Sequence, residues 1–296
     1  MLPKLPLANE GQLLETITSG SGERISGSAG PIISVRENNL WRWLMFGPNA
    51  SVNSAAPEIS DTKTPLQSIM LKSDTALLAL PYMQAMVTAL CFESTPVQAK
   101  LLQLGLGAGA VNRFLYYHYP AARLTTVEIE SALLSLYQNY FNPPPQGHET
   151  IIIQSAESYL QVSNSQSDII LCDLYQPQGF PDGLYQADFI YALRQALMSG
   201  GVLVINSITR DPAQLQPMFN VLRGQFKHML FGELNGFENL VIYASQRPIA
   251  INAAKQQQLQ QCLTLDIASY LQSTYPVSYL NIAVDASSAM SSEFNS

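Results

Sequence analysis

Two hydrophobic periods alternate along this chain. Residues 101–104, 123–129, 150–153, 168–173 and 202–206 are apolar runs of strand length, bounded by turn-forming residues. Between them lie stretches with helical spacing, at 111–119, 131–141, 155–160, 186–198 and 212–222. Strands that are apolar on both faces and alternate with helices predict an α/β architecture, a mainly parallel sheet covered by helices on both sides. Two closing strands, 226–231 and 239–244, form a terminal hairpin, which makes the last strand antiparallel. Ser131 is placed as an N-cap, and Gly200-Gly201 as the turn into the fifth strand.

Residues 1–75 read differently. Glycines at 20, 22, 27 and 30 punctuate short strand candidates at 32–36 and 41–46, and another follows at 67–71. This predicts a small antiparallel β-unit, with Trp41, Trp43 and Phe46 as packing residues. A helical face runs over 75–92, and Pro81 marks the start of its stable part. After an α/β domain over 76–248, residues 249–296 carry one helical piece, 253–271, and a Ser- and Ala-rich end, 286–296, expected to be disordered.

The candidate chemistry gathers where the first strand stops. Gly105-Leu106-Gly107-Ala108-Gly109-Ala110 joins that strand to a helix, and the next strand ends on an acid, Glu128. Glycines let the backbone approach a ligand, the helix start offers free N–H groups, and an acid about 20 residues on is placed for a ribose diol. Both a dinucleotide and an S-adenosylmethionine fold satisfy this layout. In open α/β sheets ligands bind beyond the C-terminal strand ends, which brings Ser155, Ala156 and Asp173 to the same crevice. Asp173 ends an apolar strand and is followed by Leu174-Tyr175-Gln176-Pro177.

Composition narrows the function classes. Of 296 residues, 47% are hydrophobic and 12% charged, with a net charge of −7, so a sizeable core is expected and no basic cluster invites nucleic acid or an anionic membrane. The three cysteines and three histidines are scattered, without metal-ligand spacing or a disulfide framework. The N-terminus lacks the charged and apolar regions of a signal peptide, and no apolar run reaches membrane-spanning length. A cytoplasmic protein without a metal is expected.

These residues carry a resemblance. Over about residues 30–245 the chain resembles the spermidine synthases, the polyamine aminopropyltransferases, and more closely their spermidine synthase-like relatives. The likeness rests on Gln67-Ser68, Tyr82, the run from Leu104 to Gly109, Val127-Glu128-Ile129-Glu130, the run from Asp168 to Pro177, and residues 197–204. It implies a small N-terminal β-domain before a Rossmann-like class I methyltransferase domain, commonly assembled as a homodimer or tetramer. It implies S-adenosylmethionine or its decarboxylated form as co-substrate, passing Gly105, Gly107 and Gly109, with Glu128 on the ribose hydroxyls. Asp173 would bind and deprotonate an attacking amine, beside Tyr82, Gln67, Tyr175 and Gln176 in the substrate channel. The sequence departs from the active synthases at Ala108, Gln176 and Ser155, each where the family carries an acid, and at Met83-Gln84 beside Tyr82. Those departures keep three classes open: an aminopropyltransferase-like enzyme acting on a small amine or polar substrate, a methyltransferase, and a non-catalytic homologue.

Overall fold

The computed structural model describes residues 3–7, 10–18, 31–49, 68–145, 147–174, 186–208 and 212–276. The chain first builds a four-stranded antiparallel sheet from β1 (Gln12–Thr18), β2 (Pro31–Glu37), β3 (Trp41–Asn49) and β4 (Ser68–Leu71), in that order. β1 stands outside the predicted strands. Trp41 and Trp43 are fully buried, and Trp41 Nε1 donates to the Lys4 carbonyl across 3.0 Å.

The chain then enters α1 (Pro81–Val87), with proline at the start as expected, continued by a 3-10 turn, Thr88–Cys91. The alternation that follows is β5 (Lys100–Leu104), α2 (Ala110–His118), β6 (Arg123–Glu128), α3 (Ser131–Tyr140), β7 (Glu149–Ile153), α4 (Ala156–Val162), β8 (Ser167–Cys172), α5 (Ala187–Gln195), β9 (Leu197–Ser207) and α6 (Pro212–Gln225). β10 (His228–Glu233), β11 (Leu240–Ser245), α7 (Ala253–Gln260), α8 (Ile267–Ser273) and the short β12 (Tyr275–Pro276) complete it. The second sheet runs β12-β10-β11-β9-β8-β5-β6-β7. Strands β5 to β9 pair in parallel, whereas β11 lies antiparallel between β9 and β10. A dinucleotide-binding sheet continues in parallel through its sixth strand; the inserted antiparallel strand gives this sheet the methyltransferase-type order that the resemblance implies.

The period-2 pattern explains both faces. Leu101, Ile169, Leu171, Val202, Val204, Val241 and Tyr243 enter one buried cluster, with α1, α2, Trp41 and Trp43. Their neighbours Leu102, Leu104, Ile170, Cys172, Leu203, Ile205 and Ile242 enter the other, under α4, α5 and α6. A third cluster joins Ile33, Val35, Leu44 and Met70 of the N-terminal sheet to Leu106, Ala108, Leu133, Leu136, Tyr137 and Phe141. The small sheet therefore packs on the glycine loop and on α3.

Three local expectations differ. Ser131 is not the cap of α3: Glu130 is, its carboxylate accepting from Ala132 N, because a side-chain oxygen one residue earlier meets the first free amides. Gly200-Gly201 lies inside β9, at an irregularity in its pairing with β8, with Gly200 at φ +92°. The single helix over 253–271 is two, because Gln84 takes the amides of Thr264 and Leu265 between them and Asp266 caps the second. The end of the chain, 277–296, lies outside the described residues.

Candidate functional site

Strand order reverses between β5 and β8, so the crevice opens at their C-terminal ends. β5 passes into the loop through Gly105, whose N–H bonds the Val127 carbonyl at 2.8 Å. Three glycines alternate in the left-handed region, Gly105 at φ +95°, Gly107 at +54° and Gly109 at +66°. A Cβ at Gly105 would lie 2.5 Å from the Asp173 carbonyl oxygen, and one at Gly109 would meet the Tyr137 ring at 2.1 Å. Packing alone accounts for those two. At Gly107 a Cβ would meet Ser68 Oγ at 3.6 Å, an ordinary van der Waals contact, so packing does not demand glycine there and only its backbone at φ +54° does. Below the loop, the fully buried Arg113 guanidinium donates to the carbonyls of Ala108, Phe141 and Thr75, tying the loop to α3 and to the segment before α1. Burial draws its pKa down to about 10, which leaves it a cation at neutral pH.

Glu128 ends β6 almost fully buried. Its Oε2 accepts from Leu106 N and its Oε1 from Glu130 N, both at 2.8 Å, so one carboxylate fixes the glycine loop to its own strand tip. Burial raises its pKa above the usual carboxylate value, and these amide bonds oppose the rise. Beside it, Ile129 (48% exposed) and Ile153 (41%) stand at the neighbouring tips of β6 and β7. Ser155 caps α4 by accepting from Ser158 N at 3.1 Å, and Ala156 is buried in the first turn of that helix.

Asp173 leaves β8 with its N–H on the Leu104 carbonyl at 3.0 Å, directly against Gly105. Its carboxylate accepts from Asn206 Nδ2 at 2.8 Å and from the Tyr82 hydroxyl. Burial pushes the Asp173 pKa up, opposed by those two donors, and burial together with the neighbouring carboxylate drives the Tyr82 phenol well above its ordinary value. Asn206 in turn accepts at Oδ1 from Asn239 Nδ2 at 2.9 Å.

The structure thus brings Gly105, Gly107, Gly109, Glu128, Tyr82 and Asp173 to one crevice, with Ser155 and Ala156 at the adjoining strand tip. Met83 is buried in the core and Gln84 bonds the C-terminal segment, so neither faces it. Gln67, Tyr175 and Gln176 lie outside the described residues. Asn206, Asn239 and Gln103 carry no role in the sequence analysis, although Asn206 shows the same signal as Asp173, a polar residue closing an apolar strand, and Ser68 enters there only as part of the resemblance. Among the described residues Ser68 Oγ and Gln103 Oε1 are buried without a partner, and Gln103 Nε2 donates to the Gly105 carbonyl at 2.7 Å. Among the described residues no cluster of His, Cys, Asp and Glu is placed to hold a metal, and no helix is long and apolar enough to cross a membrane.

Known proteins resemble this chain in sequence and in fold. The family model for the spermine/spermidine synthase domain matches residues 80–243. The chain belongs to the spermine/spermidine synthase family. Within that family, the polyamine aminopropyltransferase of Neisseria meningitidis is 32% identical over 148 residues, which are 50% of this chain and 55% of that protein. The polyamine aminopropyltransferase of Chromobacterium violaceum is 28% identical over 164 residues, 54% and 62% of the two chains. The chain thus spans little more than half the length of these curated relatives. Similarity also extends to an eEF1A lysine and N-terminal methyltransferase of Xenopus laevis, 24% identical over 54% of this chain and 25% of that one. In fold, the chain is similar to a probable spermidine synthase from Corynebacterium glutamicum, with TM-score 0.63, 16% identity and coverage of 80% and 86%. It is also similar to human methyltransferase-like protein 13 in complex with SAH, with TM-score 0.55, 19% identity and coverage of 62% and 91%. A spermidine synthase in complex with the transition-state analogue AdoDATO matches with TM-score 0.54, 16% identity and coverage of 83% and 78%.

Proposed function

We propose that this chain binds an adenosyl sulfonium, S-adenosylmethionine or its decarboxylated form, and transfers a group from it to an amine. One observation carries the reading. Asp173 stands at the tip of β8 against the glycine loop, and among the described residues its carboxylate is held by two neutral donors and by no cation. A carboxylate already paired with Arg or Lys would have little attraction left for an ammonium; this one keeps its charge for the substrate, and its raised proton affinity suits a base.

The surrounding residues fit such a ligand. A side chain at Gly107 would not be forced out by its neighbours, and the left-handed glycines let the loop backbone pass close to the ligand. Glu128 retains lone pairs beyond its two amide bonds for a ribose diol, and Ile129 and Ile153 offer apolar contact to a base. In the transfer, Asp173 takes the proton of the amine. The nitrogen lone pair forms the new C–N bond, and the C–S pair withdraws onto sulfur, leaving a neutral thioether. Tyr82 and Asn206 hold the carboxylate in line, where positioning supplies much of the rate.

Methyl transfer is the second reading. It is favoured by Ala108, fully buried in an apolar cluster at the place where the resemblance to the synthases implies an acid. Product analysis separates the two: putrescine with decarboxylated S-adenosylmethionine in one arm, S-adenosylmethionine with cell extract in the other, each beside Asp173→Asn. Amine-dependent thioether release in the first arm supports aminopropyl transfer. Release only in the second moves the assignment to a methyltransferase. Binding of NAD alone in calorimetry would sink both.

A further inference from the structure

We propose that Asn239 is a positioning residue that locks the amide of Asn206 with its NH2 group toward Asp173. The inference rests on the reading of Asp173 as the amine-binding carboxylate. Antiparallel pairing of β11 with β9 sets Leu240 opposite Ser207 and Val241 opposite Asn206, which carries Asn239 to the crevice end of β9. There Asn239 Nδ2 donates to Asn206 Oδ1 at 2.9 Å, and Asn206 Nδ2 donates to Asp173 Oδ1 at 2.8 Å.

The three side chains form a polarised chain whose direction is set from one end. An ionised carboxylate only accepts, so Asn206 must show it the NH2 group, and its own carbonyl must then find a donor. Asn206 is 5% exposed, so water is a poor substitute and the amide would otherwise turn over. Turned over, it would place a carbonyl oxygen against the carboxylate. Asp173 would then hold its proton or swing away from the line of attack. Among the described residues, the titratable groups that bear on Asp173 are Tyr82 from α1 and Cys172 on its own strand. No cation among them could compensate.

The test follows the Asp173 carboxyl carbon by 13C NMR through a pH titration, its resonance assigned by its loss in Asp173→Asn. Asn239→Asp presents only acceptors and should reverse the Asn206 amide, raising the proton affinity of Asp173 about tenfold, the effect of losing one hydrogen bond to a charged group. Asn239→Leu, which removes the donor, should shift it in the same direction by less. Asn239→Ser, whose hydroxyl still donates, should titrate close to the parent. An unmoved midpoint in the Asp and Leu variants, both folded by circular dichroism, would overturn the proposal, and so would a Ser variant that shifts as far as Leu. Should Asn239→Asp fail to fold, the Leu and Ser pair decides alone. The titration uses no substrate, so it stands apart from the assay of Asp173→Asn with putrescine: unchanged transfer there would end the reading of Asp173 while leaving the Asn239 result intact.

Discussion

The side-chain amide of Asn206 donates to the Asp173 carboxylate across 2.8 Å, and the Tyr82 hydroxyl donates to the same group. Two neutral donors do not offset the burial of a charge, and the Asp173 pKa stands above its ordinary value. Folded Asp173 therefore binds its proton more tightly than unfolded Asp173 does. Its ionisation subtracts stability as pH rises from roughly 4, the unfolded value, through the folded pKa, and the loss is constant above that. Asp173→Asn should accordingly melt higher than the parent at pH 8, by about 2–4 °C per kcal/mol recovered. The difference should vanish below about pH 4, while transfer activity falls by roughly 10²–10⁴ as the proton acceptor is lost. Melting curves at pH 3.5 and pH 8 check the sign. A lower melting temperature at pH 8 would mean that the carboxylate stabilises the fold.

The glycines of the loop separate structure from binding. Gly105→Ala would set a methyl group 2.5 Å from the Asp173 carbonyl oxygen, at φ +95°, and backbone on both sides cannot yield cheaply. A loss of about 2–3 kcal/mol is expected. Gly107→Ala meets nothing nearer than Ser68 Oγ at 3.6 Å, so its cost is the left-handed backbone alone, about 1–2 kcal/mol. That methyl would stand against Ser68 at the glycine loop, where the ligand is proposed to pass. Calorimetry with S-adenosylhomocysteine should find Gly107→Ala folded and weak in binding. Full affinity in that variant would remove Gly107 from the ligand path.

Gln84 shows how far a buried amide can reach. It is 1% exposed, donates to the Leu78 carbonyl at 2.7 Å and to Thr264 Oγ1 at 2.9 Å, and accepts from the amides of Thr264 and Leu265 at 2.9 and 2.7 Å. Gln84→Leu leaves two amides and a carbonyl without partners, at about 1–3 kcal/mol each where water cannot reach. Limited proteolysis should then cut between α7 and α8, where the parent resists. Gln84→Glu keeps the acceptor and loses the donors, and should fall between the two.

Much of this fold was legible because one periodicity runs through it. Alternate residues such as Leu101 and Leu102 enter opposite cores, so the apolar runs announced a two-sided sheet. The acids at strand ends announced the crevice, since a charge closing an apolar strand has to meet solvent or a ligand. What stayed hidden depends on contacts distant in sequence. Asn206 and Asn239 become neighbours only through the β9–β11 register, and Gln84 meets Thr264 across 180 positions. Ser131 looked like a cap because hydroxyls are good caps, yet the carboxylate of Glu130 reached the helix amides first. Gly200-Gly201 read as a turn, and a strand with an irregular pairing uses the same residues.

The last expectation concerns the charge of the acceptor. Among the described residues Asp173 is the strand-tip carboxylate with neutral side-chain partners, whereas both oxygens of Glu128 already hold backbone amides and Ala108 supplies no charge. One carboxylate neutralises one ammonium. The further ammonium groups of spermidine or spermine would be stripped of water without a partner, a cost that rises with each of them. Affinity should therefore not increase from putrescine to spermidine to spermine. The titration belongs at about 0.15 M salt, where screening over roughly 8 Å suppresses diffuse attraction to a surface of net charge −7. Binding that tightens with each added amine would contradict this and bring the exposed Glu157, in the first turn of α4, into the channel as a second anchor. Glu157→Gln would then abolish the increment for spermidine while leaving putrescine untouched, whereas Asp173→Asn should weaken all three alike.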